Sequence, residues 1–598
     1  MIGLIAVTAG GRQAAGRLAA AWPDTRRYEG PASSALPRAF AECDAIVCFL
    51  AVGATVRLLA PLLSGKHTDP GVVCVDEALR YAVPVAGAHA GGANELARRV
   101  SRLFGAEAVI TTGSDAAGSV SLDEFGADLG FVLEPGSDLA AVGAAVLSGD
   151  RVTFTAEAVW PLPPLPPNVV QGQPEPGVPA IIVSDRAAPP TAPGASAVIY
   201  RPPSLVVGIG ASRGVAATEV TALISQALAD AGLSPRSVRL AATVDLKAGE
   251  AGLRQAVRDR GWPLAVFPAV GLAAMPVPNP SETVRSAVGT PSVAEAAALL
   301  AAGLPVLAHP PAPGELCRPA VPADVGRTWP GPELVVTKRV SAHATVAVAR
   351  SRPRGRLTVV GIGPGARDLM TPRAAAELRR ASVVVGLDQY VDQVTDLVRP
   401  GTDVRATGLG REQERAGTAV AEAAAGRAVA LIGSGDAGIY AMGSPALELA
   451  DESIDVVTVP GVTASLAAAA LLGAPLGHDH ALISLSDLHT PWEAIERRIT
   501  AVAEADLVAC FYNPASRERS WQLRKALAIL AACRSPDTPV GWVRDASRPG
   551  ESVAASTLAA FDPAAADMRT LVIVGSSRSL MVAGRMVTPR DYRWAAPS

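Results

Sequence analysis

Short, uninterrupted apolar runs recur along this chain, separated by segments with the apolar spacing of helices. This alternation indicates parallel sheets that are covered by helices on both faces, and so predicts an α/β protein. In the first 119 residues the runs are LIAV (4–7), AIVCFL (45–50), VVCV (72–75) and AVI (108–110). Residues 1–119 are therefore predicted to form an α/β domain.

The pattern is interrupted between residues 120 and 203, where prolines crowd, as in PLPPLPP at 161–167. Prolines exclude long helices, so this segment is predicted to be a small, partly irregular β domain or a linker. A second α/β unit is predicted over residues 204–350. Its strands are LVVGIG (205–210), VRLAATV (238–244) and LAVF (264–267), and its helices run through 216–231 and 292–302.

The polar segment ARSRPRG (349–355) is the clearest domain boundary. Beyond it, residues 356–598 again alternate strand and helix. Predicted strands or strand-turn segments there are LTVVGIGPG, VALIGSG (429–435), DVVTVPG (455–461), ALISLS (481–486), DLVACFYNP (506–514), PVGWV (539–543) and TLVIVGSS (570–577). The 598 residues thus predict a multidomain α/β chain, made of two α/β units, a proline-rich middle domain and a fourth, C-terminal region.

Composition narrows the classes of function. The net charge is -3 and the basic residues are dispersed, so no nucleic-acid or membrane partner is expected and a small-molecule substrate is favoured. The six cysteines form no C-x-x-C pair, which argues against a disulfide framework or a thiolate zinc site, and no metal is predicted. No apolar stretch is long enough to span a membrane, and the start reads as a strand. A soluble, cytoplasmic protein is expected.

In the C-terminal region four glycine-containing turns directly follow apolar strands. They are GIGPG (361–365), SGDAGIY (434–440), PGVTAS (460–465) and VGSS (574–577). Ligands of open α/β sheets lie beyond the carboxyl ends of the strands, so the ordered set suggests one shared cleft, although any single turn can be structural. Pro364 removes an amide that a phosphate nest would use, which argues against a dinucleotide site.

These motifs resemble the tetrapyrrole methylase family and, within it, the precorrin-3B C(17)-methyltransferases. The resemblance covers 356–592 in order and is most specific in SLSDLHTPWE (484–493) and FYNPASRER (511–519). It implies two α/β lobes with S-adenosylmethionine bound between them, methylation of carbon 17 and contraction of the macrocycle. Related methylases also imply a homodimer. The chain departs from the family at Ser576, where Asn is usual, and at Asp591, where Gly is usual.

The resemblance also implies which residues contact the cofactor. They are Pro364, Ser434, Gly435, Asp436, Ile439, Thr463, Ala464, Asn513 and Ala546. Asp436 can accept hydrogen bonds from the ribose or the methionine amine, while the small Gly435 and Ala464 leave room for the adenosine. Methyl transfer from a sulfonium needs mainly positioning.

Contraction must move a proton, so a polar group is expected near the macrocycle, and the candidates are Asp436, Asp487 and His489. Three arginines could bind the carboxylates of the precorrin or cobalt-precorrin substrate, or could equally be solvated surface residues: Arg411, Arg415 and Arg517. The run His478-Asp479-His480 resembles a metal pair, but is interpreted as a hydrogen-bonded loop.

The N-terminal motifs resemble the cobalt-precorrin-5A hydrolase family over residues 1–350. The motifs are AVGATVRLLAPLLSGKHTDPGVVCVDE (51–77), GAHAGGANELA (87–97), TTGSDAAGSVSLDEFG (111–126), GIGASRGV (208–215), DLKAGEAGL (245–253), GTPSVAEAAAL (289–299) and VVTKRVSAHATVAVA (335–349). The resemblance implies opening of a δ-lactone on the macrocycle with release of acetaldehyde. The usual Cys of the GIGC turn is Ala211 here, and the nearby basic residues are reduced to Arg213.

Lactone opening needs a base that activates water and donors for the oxyanion. His89 is the candidate base, with Gly91, Gly92 and Asn94 as candidate oxyanion donors at a helix start. Alternatively, His89 and Asn94 cap that helix. Asp115 and Asp123 are the next carboxylates to consider. The acidic side chains of the macrocycle are expected to meet Arg57, Lys66 and Lys338.

Two readings of the whole chain stay open at this point. In the first, both modules are enzymes that act on corrinoid intermediates. In the second, the N-terminal module is a non-catalytic binding or scaffolding unit that supplies macrocycle to the methylase. Release of acetaldehyde by the N-terminal module distinguishes them.

Overall fold

The structure is a computed structural model that describes residues 1–65, 68–88, 91–304, 315–320, 331–516, 520–590 and 592. The chain divides into two compact units. The first comprises residues 1–158, 163–353 and 399–401, and the second comprises 159–162, 354–398 and 402–598.

The first unit begins with a six-stranded sheet in the order β2-β1-β3-β4-β5-β6. Its elements are β1 (Ile2–Ala6), α1 (Ala9–Ala21), β2 (Thr25–Tyr28), α2 (Ala32–Glu42), β3 (Ala45–Phe49), α3 (Val52–Leu59), β4 (Gly71–Val75), β5 (Tyr81–Ala86), α4 (Ala93–Phe104), β6 (Glu107–Ala108) and α5 (Gly113–Ala116). The side chains of neighbouring residues of β1 point to opposite faces of the sheet, since Leu4 packs in one apolar cluster and Ile5 in another. The prediction of a sheet buried on both faces is confirmed.

This sheet is parallel except at β5, which pairs antiparallel with β4. A tight turn causes the reversal. The Asp76 carboxylate accepts hydrogen bonds from the amides of Arg80 and Tyr81, both at 2.7 Å, and Leu79 has a positive φ of 56°. The carboxyl end of β5 therefore lies beside the amino end of β4.

A second sheet follows in the proline-rich segment, with the order β7-β11-β10-β8-β9. Its elements are β7 (Val132–Leu133), α6 (Leu139–Ser148), β8 (Val152–Ala156), β9 (Val169–Gln171), β10 (Ala180–Val183) and β11 (Ala197–Arg201). For residues 120–203 the sequence analysis left two alternatives, a small, partly irregular β domain or a linker. Helix α6 ends before the prolines at 161–167 begin.

The third sheet of the first unit has the order β15-β14-β13-β12-β17-β16. Its elements are β12 (Leu205–Ala211), α7 (Ala217–Asp230), β13 (Val238–Val244), α8 (Ala251–Arg258), β14 (Leu264–Phe267), α9 (Ala269–Ala273), α10 (Glu282–Val288), α11 (Val293–Gly303), β15 (Leu316–Cys317), β16 (Glu333–Val340) and β17 (Ala344–Arg350). Strands β12 to β15 are parallel, and β16 with β17 adds an antiparallel hairpin.

The first lobe of the second unit is a fully parallel sheet in the order β20-β19-β21-β18-β22. Its elements are β18 (Gly355–Gly361), α12 (Pro372–Arg380), β19 (Val383–Leu387), α13 (Asp388–Asp392), β20 (Asp403–Thr407), α14 (Glu412–Ala424), β21 (Ala428–Gly433), α15 (Gly443–Leu449) and β22 (Ile454–Val459). The three neighbouring strands β21, β18 and β22 end side by side, at Gly433, Gly361 and Val459.

The second lobe contains a mixed sheet, β24-β25-β28-β26-β27, and a small sheet, β23-β30-β29. Its elements are α16 (Ala464–Leu472), β23 (Gly473–Ala474), β24 (His480–Ser484), α17 (Trp492–Glu504), β25 (Val508–Tyr512), α18 (Gln522–Ala531), β26 (Pro539–Arg544), β27 (Ser552–Thr557), β28 (Thr570–Val574), β29 (Leu580–Val582) and β30 (Arg585–Val587). None of the described helices is long and apolar enough to cross a membrane.

Candidate functional site

Three of the predicted turns meet at the carboxyl edge of the first-lobe sheet. Gly363 and Gly435 exchange two backbone hydrogen bonds, at 3.1 and 2.8 Å, which join the turns after β18 and β21. A Cβ on Gly461, in the turn after β22, would lie 2.1 Å from the Gly435 carbonyl oxygen. Glycine is required there because the backbones of the turns touch.

Asp436 ties two of these turns together through its carboxylate. Oδ1 accepts a hydrogen bond from the Gly438 amide at 2.8 Å, and Oδ2 accepts one from the Gly461 amide at 3.0 Å. Each carboxylate oxygen still has a second lone pair. Asp436 therefore shapes the turns, and can in addition accept a bond from a ligand.

The predicted Gly435, Thr463 and Ala464 lie together at the start of α16. Gly435 has a φ of +66°, and a Cβ there would lie 3.4 Å from Thr463 Cα and 3.5 Å from the Ala464 nitrogen. The Thr463 hydroxyl does not cap α16, but shares a hydrogen bond of 2.7 Å with the Tyr512 hydroxyl. That phenol also accepts a bond from the Ser465 amide at 3.0 Å. Tyr512 thus connects the end of β25 to this helix start.

Arg548, a residue that the sequence analysis missed, connects the loop of Ala546 to Pro364 and Ser434. Its Nε donates to the Pro364 carbonyl at 2.5 Å, and its Nη2 donates to the Ser434 hydroxyl at 2.6 Å. The preceding Ser547 accepts a bond from the Ala366 amide at 3.2 Å. A signal existed, because this loop is also a glycine-containing turn that follows an apolar strand, PVGWV.

Ile439 lines a cavity of about 400 Å³ together with Gly438, Tyr440, Ala441, Ser444 and Leu482. Tyr440 has a φ of +52°, which is strained for a residue with a side chain. Its hydroxyl donates to the Leu482 carbonyl at 2.7 Å, and its ring lies 5.3 Å from that of Tyr512. Burial raises the pKa of Tyr440, which is therefore a neutral hydrogen-bond donor near neutral pH.

Asn513 and the two catalytic candidates Asp487 and His489 follow strands of the second lobe. Asn513 has a φ of +52°, and its Nδ2 donates to the Ser484 hydroxyl at 3.0 Å. Asp487 accepts a bond of 3.1 Å from Nε2 of the buried Gln522, another residue that the sequence analysis missed. His489 is exposed. The carboxylate of Asp487 is thus positioned by a hydrogen bond from Gln522. The third catalytic candidate, Asp436, belongs to the first lobe.

The expectation of one shared cleft is wrong for the fourth turn, 574–577. Strand β28 runs antiparallel to β25, so its carboxyl end lies beside the amino end of β25. Ser577 accordingly bonds to Asp506, its amide donating at 2.7 Å, and Asp506 precedes β25. Asn513 follows the opposite end of that strand. The departure at Ser576 therefore lies away from the edge that carries Asn513, and Asp591 lies outside the described residues.

Of the arginines considered for the substrate carboxylates, Arg415 has a structural role. Its side chain is buried and donates to the Thr407 hydroxyl and the Gly408 carbonyl, both at 2.9 Å. Arg411 is exposed and pairs with Glu414 at 3.0 Å, so it is accessible to a ligand. Arg517 lies outside the described residues.

In the first unit, the 87–94 segment of the hydrolase motifs lies against Gly71 at the amino end of β4, not at its carboxyl end. Gly71, Gly87 and Gly91 pack backbone to backbone, since a Cβ on Gly71 would lie 2.1 Å from the Gly91 carbonyl oxygen. The reversal at β5 brings the 87–94 segment to this edge. His89 and Lys66 lie outside the described residues.

Asn94 is buried in the first turn of α4, but neither predicted role fits it. The helix is capped by Gly92, at a φ of +73°, without a side-chain bond. Asn94 Nδ2 donates to the Thr112 hydroxyl at 3.2 Å and to Asp115 at 3.1 Å. Both amide hydrogens are thereby engaged, so Asn94 orients Asp115 and has none left for an oxyanion. Arg98 also pairs with Asp115, at 2.6 Å.

The two described basic candidates of the first unit, Arg57 and Lys338, lie on α3 and on β16 of the third sheet. Arg57 is exposed on α3 and donates to Gly53 of the same helix. Lys338 belongs to the third sheet, where Nζ donates to the Asn279 carbonyl at 2.8 Å. Beside it the fully buried Glu295 accepts bonds from the Lys338 amide at 3.0 Å and from Asn279 Nδ2 at 2.7 Å. This carboxylate fixes the β16 segment of the predicted substrate site.

A metal centre is not built by the part of the chain that the structure describes, which contains no group of three or more His, Cys, Asp or Glu that could hold an ion. The His478-Asp479-His480 run behaves as a loop. The Asp479 amide donates to His478 Nδ1 at 2.8 Å, and His480 begins β24.

Known protein families match both units of the chain. The model of the tetrapyrrole (corrin/porphyrin) methylases matches residues 356–562. A "Probable cobalt-factor III C(17)-methyltransferase" of Salmonella typhimurium is 49% identical over 242 residues, which are 40% of this chain and 99% of the relative. The chain belongs to the tetrapyrrole methylase family.

Further similar proteins match the same region of the chain. A precorrin-3B C(17)-methyltransferase of a Sinorhizobium species is 40% identical over 256 residues, which are 40% of this chain and 99% of the relative. Several other curated relatives are about twice as long as the region they share with this chain. The crystal structure of the methyltransferase CobJ is 38% identical, with a TM-score of 0.38, and covers 39% of this chain and 100% of that one.

The first unit matches two other family models. The model for the N-terminal part of cobalamin synthesis protein G matches residues 34–115, and the model for its C-terminus matches residues 205–349. The chain is therefore an enzyme of cobalamin biosynthesis, which joins a methylase to a cobalt-precorrin-5A hydrolase-like module.

Proposed function

We propose that the second unit transfers a methyl group from S-adenosylmethionine to carbon 17 of precorrin-3B or its cobalt form, with ring contraction to precorrin-4. The first unit opens the δ-lactone of a later corrinoid intermediate and releases acetaldehyde. The observation that carries the first proposal is the meeting of three turns, 361–365, 434–440 and 460–465, at one sheet edge. The names of the relatives supply the position of methylation.

The residues at this edge fit the cofactor. Because residues 363, 435 and 461 are glycines, no side chains project from these positions of the sheet edge. The planar adenine ring of the cofactor can therefore lie against the backbone there. Asp436 offers lone pairs to hydroxyl or ammonium donors, and Asn513 follows Tyr512, whose hydroxyl shares a hydrogen bond with Thr463. Thr463, Ala464, Ile439 and Ala546 complete the proposed contacts. When bound, the cofactor supplies an activated methyl group.

The protein's part in methyl transfer is mainly to position the reactants and exclude water. Contraction requires a group that moves a proton at the macrocycle, and Asp487 is proposed for it. Nε2 of Gln522 donates a hydrogen bond to Asp487 and so helps to position this carboxylate. His489 and Arg411 are exposed and are proposed to meet the periphery of the macrocycle.

For lactone opening we propose a base in the 87–115 region. His89 remains the proposed base, with Asp115, oriented by Asn94, Thr112 and Arg98, as the alternative. Arg57, Lys66 and Lys338 are proposed to bind acidic side chains of the macrocycle. Replacement of His89 by Ala should stop acetaldehyde release while methyl transfer continues.

We further propose that the protein works in a reducing cytoplasm as a homodimer through the methylase. All six cysteines are free thiols, and burial raises the pKa of Cys74 to about 11, so this thiol is unreactive at neutral pH. Neither nucleic acid nor a membrane is a proposed partner. Sedimentation of the full chain tests the dimer.

The test of the two activities uses the full chain. Acetaldehyde should appear when the chain is given the lactone-containing cobalt intermediate, and S-adenosylhomocysteine should bind in calorimetry. A chain that binds this ligand but releases no acetaldehyde would make the first unit a binding module. A chain that does not bind the ligand would contradict the placement of the cofactor.

A further inference from the structure

The Arg548 guanidinium lies directly on two of the proposed cofactor turns. Its bonds to Pro364 and to Ser434 cross from the loop after β26 in the second lobe to two turns of the first lobe. On another side its guanidinium carbon lies 5.9 Å from the centre of the Tyr390 ring.

The surroundings are built to receive this side chain. A Cβ on Gly365 would lie 2.4 Å from Arg548 Cγ, so only glycine fits beneath the arginine. The loop itself is anchored by the buried Asp545, whose carboxylate pairs with Arg569 at 2.5 Å and with Arg544 at 2.9 Å. Arg548 is therefore presented from a fixed loop rather than from a mobile surface.

The Arg548 guanidinium keeps charge and N–H donors for an anionic ligand. The bonds to Pro364 and Ser434 use two of its five N–H donors and involve only neutral acceptors, so its charge is not neutralised by them. A cation beside the positively charged sulfonium would also weaken cofactor binding, unless it pairs with a negative group. S-adenosylmethionine has one such group, the carboxylate of its amino-acid portion.

We propose that Arg548 binds the carboxylate of the amino-acid portion of the cofactor. The inference rests on the proposed function, because it takes the three turns as the cofactor site. Arg548 would then determine ligand specificity. It increases the affinity for ligands that carry this carboxylate, and it contributes no affinity for ligands that lack it.

Calorimetry with two ligands tests the proposal on the full chain. S-adenosylhomocysteine carries the carboxylate, and S-adenosyl-3-thiopropylamine lacks only that group. Arg548→Met should weaken binding of the first ligand about 10- to 100-fold, which is typical of a lost charged hydrogen bond, and change binding of the second less than about twofold. Arg548→Lys keeps the charge but loses the planar fork of the guanidinium. Its affinity for S-adenosylhomocysteine should therefore lie between those of the unaltered chain and of Arg548→Met. Arg585→Met, at an exposed arginine of β30, should change neither affinity.

The outcomes separate the possible errors. Equal weakening of both ligands in Arg548→Met would mean that Arg548 only holds the lobes together, and would overturn the proposal, as would unchanged binding of S-adenosylhomocysteine. If Arg548→Met does not fold, the same comparison is made with Arg548→Lys. Failure of the unaltered chain to bind either ligand would instead overturn the proposed function.

Discussion

The carboxylate of Asp436 accepts a hydrogen bond from the amide of Gly461 at 3.0 Å, and so joins the turn after β21 to the turn after β22. The same carboxylate accepts a bond from Gly438 within its own turn. The shape of the proposed cofactor edge thus depends on one acidic side chain.

Asp436→Asn should weaken this junction, because one of the two amides would then face an NH₂ group instead of an acceptor. We expect S-adenosylhomocysteine to bind about tenfold more weakly or worse, and the unfolding free energy to fall by about 1–3 kcal/mol. Calorimetry and urea unfolding measure these effects. Asp537→Asn, at an exposed position, is the control. Unchanged affinity in a folded Asp436→Asn protein would contradict the role given to this carboxylate.

Gly435→Val should abolish detectable ligand binding, because φ is +66° and the added side chain would meet Thr463 and Ala464. Gly417→Ala provides a matched control. Gly417 lies within α14, and a Cβ there would meet nothing within 4 Å. Alanine at 417 should therefore preserve binding and raise helix stability by up to about 1 kcal/mol. Equal binding by both variants would show that the turn at 435 does not contact the ligand.

Much of the fold could be predicted from continuous apolar runs. The strands Val238–Val244 and Leu264–Phe267 coincide with their predicted bounds, because a strand that is covered on both faces is apolar along most of its length. Strand β5 was not predicted. It contains Pro84, which pairs opposite Val73 next to a register shift, and its direction depends on the Asp76 turn.

The candidate site was less predictable, because its geometry depends on contacts between distant segments. Arg548 and Pro364 are separated by 184 residues, and no local pattern joins them. Arg415 and Arg411 read alike in the sequence, yet one is buried and the other exposed. The fourth turn carries the same signal as the other three, but the antiparallel direction of β28 removes it from their edge.

Acid should destabilise the first unit through Asp185. Burial by itself would raise the pKa of Asp185, but hydrogen bonds from Arg350 and Ser204 outweigh it and hold the pKa below the usual value. The stabilisation is therefore present above the unfolded pKa of about 3.9, and is lost as the pH falls through the lower folded value.

The pair of Asp185 and Arg350, with bonds of 2.7 and 2.9 Å, links the second and third sheets. Asp185→Asn should lower the unfolding free energy of the first unit by about 1–3 kcal/mol at neutral pH, because Arg350 loses its buried partner and keeps only Glu333, at 3.9 Å. It should also flatten the acid dependence below about pH 4. Denaturation at pH 7 and pH 3 tests this, with Glu282→Gln, in an exposed ion pair, as the control. A difference that is the same at both pH values would contradict it.

Asn94→Ala should slow acetaldehyde release by about 10- to 100-fold, because Asp115 and the first turn of α4 lose their orientation. Methyl transfer by the same chain should be unchanged. A coupled acetaldehyde assay and a methyl-transfer assay on one preparation compare the two. Gln13→Ala, at an exposed position of α1, is the control. Normal acetaldehyde release by a folded Asn94→Ala chain would place lactone opening elsewhere.

The central claim is methyl transfer to carbon 17, and the most direct measurement follows the methyl group itself. The full chain is incubated with ¹³C-methyl-labelled S-adenosylmethionine and with precorrin-3B or its cobalt counterpart, and the product is examined by mass spectrometry and ¹³C NMR. We predict one labelled methyl group, on carbon 17, in a ring-contracted product of at least one of the two substrates. A label on another carbon, or no labelled product from either substrate, would contradict the account.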